Sequence, residues 1–236
     1  MHVPDGFINI PVSVVAGGVA AVGLAVSLRG ARRELDERTA PLAGLVAAFV
    51  FAAQMINFPV AGGTSGHLLG GVLAAVLVGP CTGVLCICVV LGVQGLMFAD
   101  GGLTALGVNI TNMALVGVGL GYLCFRLLVS ALPKTRGSVV IASGIAAFLS
   151  VPLAAAAFTA FYALGATSSI PIGTVFTAMV GVHLLIGVGE ALITMATVQA
   201  VLSTRPDLVH GARHLDRSAS LKGYQPSGRS EGESVA

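Results

Sequence analysis

The sequence predicts an all-α membrane protein of about seven transmembrane helices, with its N-terminus outside and its C-terminus cytoplasmic. Three observations carry that prediction. Of 236 residues, 56% are hydrophobic and only 9% are charged, whereas a water-soluble domain carries about 25% charged residues, so the bilayer must serve as solvent. Apolar runs of about 20 residues, the length that crosses hydrocarbon, recur along the chain. Finally, all 12 Lys and Arg fall after the first run, around the end of the fifth, or in the tail. Seven crossings put every one of them on a single face, which the positive-inside rule makes cytoplasmic.

The elements follow in order. Residues 1–7, Met1-His2-Val3-Pro4-Asp5-Gly6-Phe7, lack the basic opening of a secretory signal peptide. The first segment is expected over residues 8–28, ending in a charged loop at 29–41 that contains Arg29, Arg32, Arg33 and Arg38. The second covers 42–57, followed by a turn-rich loop at 58–66. The third, 67–78, is short for a span and is tolerated only if protein buries it. Gly79-Pro80 marks a turn into the fourth, 81–98. The fifth covers 103–132, the sixth 137–164 and the seventh 174–202. Residues 1–203 thus form one membrane domain, and 204–236 form a polar cytoplasmic tail of disordered composition. Its His210 and His214 are expected to be solvated.

The groups able to carry chemistry gather on the predicted outer face. The Met1 α-amine, the His2 amide nitrogen and the His2 imidazole can close adjacent five- and six-membered chelate rings on one ion. His67 begins the third segment at its outer end, so the topology puts it on the same face as His2. Met1, His2 and His67 are therefore the candidate ligands. A bulky His at position two disfavours removal of the initiator Met, which keeps the amine available. Four nitrogens in a plane suit Ni²⁺ or Cu²⁺, with Co²⁺ plausible and Mg²⁺ or Ca²⁺ unsuited. The alternative for each His is a satisfied interfacial hydrogen bond. Asp5 and Asp100 could orient a ligand imidazole or be turn-forming, solvated acids. Asn57, Ser65 and Asn109 are further polar candidates around the site or along an ion path. His183 and Glu190, seven residues apart on one helix face, are ionisable groups inside the membrane and so functional candidates; holding helices together is their other reading. Cys81, Cys86, Cys88 and Cys124 all lie in apolar runs without accompanying His or acid, and read as small packing residues.

No G-x-x-x-x-G-K-[ST] phosphate loop is present, so the chain is not expected to hydrolyse ATP, and no nucleophile–base arrangement suggests an enzyme. A stand-alone metal carrier or channel would want several membrane carboxylates, and only Glu190 is available. A vitamin-binding subunit would want an aromatic pocket, and there is no Trp.

Four motifs occur in order: Met1-His2-Val3-Pro4-Asp5-Gly6-Phe7; Asn57-Phe58-Pro59 with Gly63-Thr64-Ser65-Gly66-His67-Leu68; Phe98-Ala99-Asp100-Gly101-Gly102-Leu103-Thr104-Ala105-Leu106-Gly107 with Asn109; and His183 with Leu185-Ile186-Gly187 and Gly189-Glu190-Ala191. Together they resemble the CbiM/NikM family over about residues 1–205. The resemblance implies the substrate-capture (S) component of an energy-coupling factor (ECF) ABC transporter for cobalt or nickel, multi-pass in a bacterial inner or plasma membrane. It implies an ion held by the amino-terminal nitrogens, His2 and His67. Implied partners are a membrane T component of the CbiQ type, a pair of cytoplasmic ABC ATPases of the CbiO type, and often a small accessory membrane protein of the CbiN or NikN type. Some members carry that accessory part fused at the C-terminus; here it would be a separate chain. No cofactor and no nucleic acid are implied. Cobalt and nickel remain undivided by this reading.

Overall fold

The computed structural model describes residues 1–37, 39–60, 64–213 and 215, without the side chains of Pro59, Thr64 and Ser65. The chain is a helical bundle. Helix α1 spans Ile10–Glu34 and α2 spans Thr39–Gln54. A two-stranded antiparallel hairpin follows, β1 (Phe58–Val60) with β2 (Thr64–Gly66). Then come α3 (Gly71–Val78), α4 (Pro80–Met97), α5 (Leu106–Asn109), α6 (Val118–Ala131), α7 (Arg136–Gly165) and α8 (Ile172–Thr204). A π-helical stretch, Ile110–Gly117, joins α5 to α6 without a break. Five helical segments are long and apolar enough to cross a membrane: α1, α4, α5 through α6, α7 and α8. The chain is a multi-pass membrane protein.

Local chemistry sets the helix ends. The Asn9 side chain accepts from Val12 N and caps α1. Helix α1 does not stop at residue 28 as expected but runs through Arg29, Arg32 and Arg33 to Glu34. Ala, Arg and Glu are good helix formers, and the one Gly in this stretch, Gly30, packs against Cys81 where a Cβ has no room. Asp36 and Thr39 then bond reciprocally, Thr39 N to Asp36 Oδ1 at 2.8 Å and Asp36 N to Thr39 Oγ1 at 2.9 Å, starting α2. The expected loop at 58–66 contains the β1–β2 hairpin, the one departure from an all-helical chain among the described residues.

All eight residues of α3 are buried. At 1.5 Å per residue α3 is only ~12 Å long, and it is apolar all round, as a helix surrounded by protein should be. Its partner α4 begins beside the C-terminal end of α1, where the Glu34 carboxylate accepts from Cys81 N (3.1 Å), Thr82 N (2.7 Å) and Thr82 Oγ1 (2.9 Å). An anion on the first turn of a helix answers its free N–H groups. The α3–α4 turn therefore lies at the basic end of α1. Extended residues preceding α3 supply the reach that eight helical residues lack.

Small residues let helices touch. Gly107 of α5 abuts the backbone of Gly17 in α1 so closely that any Cβ there would collide with it. Beyond α8, residues 206–212 form two short 3₁₀ turns that pack back on the bundle, burying Val209 and Ala212. His210 is half-buried against Tyr122, ring centroids 6.5 Å apart, rather than solvated. His214 and residues 216–236 lie outside the described residues.

Candidate metal centre

The amino terminus is folded into the protein. Met1, Val3 and His2 are 0%, 1% and 5% exposed. The backbone is held from several sides. Val3 N donates to Asn109 Oδ1 (2.7 Å), and Val3 O accepts from Asn109 Nδ2 (3.2 Å) and Gly102 N (2.9 Å). Asp5 Oδ1 accepts from Thr104 N (2.8 Å) and Oγ1 (2.5 Å). Thr167 Oγ1 donates to Gly6 O (2.6 Å), and Asn9 N to Gly165 O (2.7 Å). Gly102 packs on the Pro4–Asp5 backbone, where a Cβ has no room. Residues 1–9 thus thread between the 98–104 loop and the α7–α8 connection.

The π-helical stretch sits directly on this strand. Asn112 Nδ2 lies 3.4 Å from the Met1 sulfur, and Thr111 Oγ1 donates to Ala16 O at 2.9 Å. A widened helical turn redirects side chains, and such turns recur at functional sites. Here it aims Asn112 at Met1 from a segment whose predecessor, Asn109, holds Val3.

His2 and His67 meet. Their rings stack with centroids 4.6 Å apart and planes 28° apart. His67, fully buried, has its Nδ1 2.7 Å from Leu68 O, so Nδ1 carries the proton and Nε2 keeps a bare lone pair. His67 Nε2 has no hydrogen-bond partner among the described residues. His2 Nε2 points at Asp100 Oδ2 from 3.7 Å, beyond hydrogen-bond reach, and is also unpartnered there. Asn57 Nδ2 donates to the same Asp100 oxygen at 3.2 Å. Asp100 therefore favours a proton on His2 Nε2, which frees Nδ1, the nitrogen able to close a six-membered ring with the His2 amide. A buried orphan such as His67 Nε2 costs free energy, and a bound cation is what would satisfy it.

Electrostatics keep these bases neutral. Burial pushes the Met1 amine down to about 4, against the pull of Asp100. His2 is likewise lowered to about 4, first by burial and then by the neighbouring amine. His67 is held well below its ordinary value, chiefly by burial, with the Met1 amine, His2 and His183 each disfavouring its charge. Asp5 is lowered by its Thr104 hydrogen bonds.

The other candidates divide. His183 is fully buried, with Nδ1 2.6 Å from Met179 O and Nε2 unpartnered among the described residues. It lies under Gly66, one residue before His67, where a Cβ would stand 3.3 Å from His183 Cε1. Glu190 is not among the imidazoles. Its two oxygens accept from Leu69 N (2.9 Å) and Gly70 N (2.6 Å), while Gln54 Nε2 donates to Leu69 O (2.6 Å). Glu190 thereby caps α3 and clamps the segment that carries His67. The Ser65 side chain lies outside the description. Among the described residues, no three His, Cys, Asp or Glu side chains form a group able to hold an ion, so an ion here needs the amine and amide nitrogens as well. Gln54 and Asn112 also bear on this arrangement, and an amide inside an apolar run is their sequence signal.

Comparison with known proteins fits this arrangement. Residues 2–208 match the family model CbiM, described as the cobalt uptake substrate-specific transmembrane region. A provisionally named metal transport protein of Haloquadratum walsbyi is 40% identical over 211 residues, covering 89% of this chain and 93% of that protein. A provisionally named fused nickel transport protein NikMN of Archaeoglobus fulgidus is 39% identical over 211 residues, 89% of this chain and 68% of its own length. The crystal structure of a truncated transition metal transporter superposes with a TM-score of 0.78 at 30% identity, covering 86% of this chain and 99% of that one. With its helical bundle, buried amino terminus and paired imidazoles, the chain belongs to the CbiM family.

Proposed function

We propose that the chain is the substrate-binding subunit of an ECF-type ABC importer that captures Co²⁺ or Ni²⁺. The ion is held by the Met1 amine, the His2 amide and imidazole, and the His67 imidazole. The observation that carries this reading is the stacked, neutral His2–His67 pair, with His67 Nε2 unpartnered among the described residues, beside a buried amine. All-nitrogen donors of this kind favour late first-row divalent ions. Asp100 with Asn57, and Asn109 through Val3, hold the first ligands; Glu190 and Gln54 hold the segment bearing His67.

In this reading the chain crosses the membrane seven times, with residues 1–9, the β hairpin and the 98–104 loop outside. The basic end of α1, the α3–α4 turn and residues 204–236 face the cytoplasm, as the distribution of Lys and Arg requires. Residues 1–203 are the membrane body and the remainder its tail. Partners are a membrane T component, separate ABC ATPases and an accessory protein of the CbiN or NikN type; the name of the fused NikMN relative supports the last. A carrier acting alone is disfavoured because both Glu190 oxygens are engaged by backbone N–H groups.

The test is Ni²⁺ and Co²⁺ binding by calorimetry and visible absorption, with a native terminus, with one added N-terminal residue, and with His67→Ala. The native protein should bind tightly with a planar four-nitrogen spectrum, and both altered forms should lose that spectrum and at least ~100-fold in affinity. Equal binding by the extended terminus would sink the proposed site. Uptake by vesicles should require the ATPases; uptake without them would make the chain a carrier.

A further inference from the structure

A second polar feature lies at the opposite end of the bundle from Met1. A cavity of about 460 Å³ opens between α6, the α6–α7 connection and the returning 206–213 segment. Tyr122, Phe125, Arg126, Lys134, His210 and Arg213 line it. Its floor is apolar, with the Tyr122 and Phe125 rings 5.7 Å apart. Its walls are cationic. None of Arg126, Lys134 or Arg213 forms a salt bridge among the described residues. Among the described residues the acid nearby is Glu34, whose carboxylate is engaged by Cys81 and Thr82 and whose backbone oxygen meets Arg213 at 3.4 Å. His210 Nδ1 is buried in the wall without a hydrogen-bond partner among the described residues.

Beside the cavity α6 is apolar. Leu120, Leu123 and Leu127 share one side of that helix and are 41%, 53% and 60% exposed, and Leu123 stands one turn before Arg126. Three cations without an ion-pair partner and an imidazole nitrogen without a hydrogen bond among the described residues ask for a phosphate ester. The continuous leucine stripe beside them asks for hydrocarbon. A soluble phosphate compound would use only the first half of that surface.

We propose that this cavity is a headgroup site for an anionic phospholipid. Arg126, Lys134 and Arg213 hold the phosphate, His210 bonds a headgroup oxygen, and the acyl chains lie along Leu120, Leu123 and Leu127. Basic pockets between transmembrane helices recognise such headgroups by charge and shape. Bound lipid would tie the returning C-terminal segment to α6. Which leaflet supplies it rests on the topology proposed above, which makes it the inner one; the binding itself does not.

The test uses the full chain in neutral detergent, with native mass spectrometry after adding phosphatidylglycerol or phosphatidylcholine of identical acyl chains. Phosphatidylglycerol should be retained and phosphatidylcholine should not. The double variant Arg126→Gln/Arg213→Gln should lose about tenfold or more in retention, since each cation near a membrane surface contributes roughly fivefold. Unchanged Ni²⁺ binding at the opposite end reports that this variant is folded, and the single exposed change Lys134→Gln should lose roughly fivefold without that concern. Equal retention of phosphatidylcholine, or undiminished phosphatidylglycerol binding by the variants, overturns the proposal. Competition by glycerol 3-phosphate or inorganic phosphate at concentrations matching the lipid assigns the site to a soluble phosphate and also overturns it. Loss of a co-purifying membrane partner from the variants with lipid retention intact assigns the surface to that partner instead.

Discussion

His2 and His67 differ in how each keeps a nitrogen free. His67 gives its Nδ1 proton to Leu68 O and presents Nε2, while His2 faces Asp100 with Nε2 and presents Nδ1. Asp100 therefore chooses the His2 tautomer. Asp100→Asn removes the charge without changing size, and Ni²⁺ affinity should fall about 10- to 100-fold, measured by calorimetry; an unchanged affinity would free Asp100 of this role. The amine and both imidazoles are lowered from their ordinary values. A base with a lowered pKa is already unprotonated at neutral pH, so an ion held as proposed would displace no proton from these three. The only proton left to release is that of the His2 amide. Affinity should rise about tenfold per pH unit between pH 6 and 8. A slope near four decades per unit would mean that the free protein carries protons on all three bases as well as on the amide.

Three elements matter more than their length suggests. Helix α3 has eight residues, yet it reaches from the site to the basic end because Glu190 and Gln54 fasten its entry and Glu34 fastens the start of α4. Glu190→Gln leaves one buried backbone N–H of Leu69 or Gly70 without an acceptor, at a cost of about 1–3 kcal/mol. Thermal stability should fall by that amount, and metal affinity should fall with it because His67 lies two residues from the clamp. A stable variant with weakened binding would separate positioning from folding. The α1–α5 crossing tolerates only glycine at 107, since Gly17 occupies the space of any side chain. Gly107→Leu should separate α1 from α5 and displace Asn109, lowering both the melting temperature and the Ni²⁺ affinity of the protein that remains folded; unchanged affinity would show that Asn109 keeps its place.

For the whole molecule, loops collect at two ends. Residues 1–9, the β hairpin, the 98–104 loop and the α7–α8 connection meet at one end through Val3–Asn109, Asn57–Asp100 and Asn9–Gly165. The end of α1, the α3–α4 turn and the returning 206–213 segment meet at the other through Glu34. Val209, Gly211 and Ala212 cover Phe125 and the end of α3. Truncation after Thr204 should uncover Phe125 and lower the melting temperature in detergent, whereas truncation after Leu215 should leave it within about a degree. Equal losses would mean that the packed segment contributes nothing.

How much of this was legible differs by feature. Six of the expected segments fall within a few residues of observed helices, because apolar length and Pro/Gly punctuation are local signals. The exception at the first segment, where α1 runs on to Glu34, arises because charged residues with good helix propensity need not leave a helix at the membrane surface. The convergence of His2 and His67 was legible only as a shared face. Asn57, Asp5, Asp100 and Asn109 were visible as polar candidates, and the tertiary structure gave each a partner. For Glu190 the sequence left an ion path and the holding of helices both open; the structure shows it bonded to backbone N–H groups about 120 residues away, a partnership that local sequence cannot reveal. By itself the sequence determined the solvent, the order of the helices, and a terminus with its amine and an imidazole one residue apart, since each depends on residues near one another in the chain. Only the tertiary structure decided that the terminus is buried, that two imidazoles stack with free nitrogens, and that an eight-residue helix carries one of them into place. Those facts depend on long-range packing and hydrogen bonds, whose energies are set by which distant groups come to exclude water from one another.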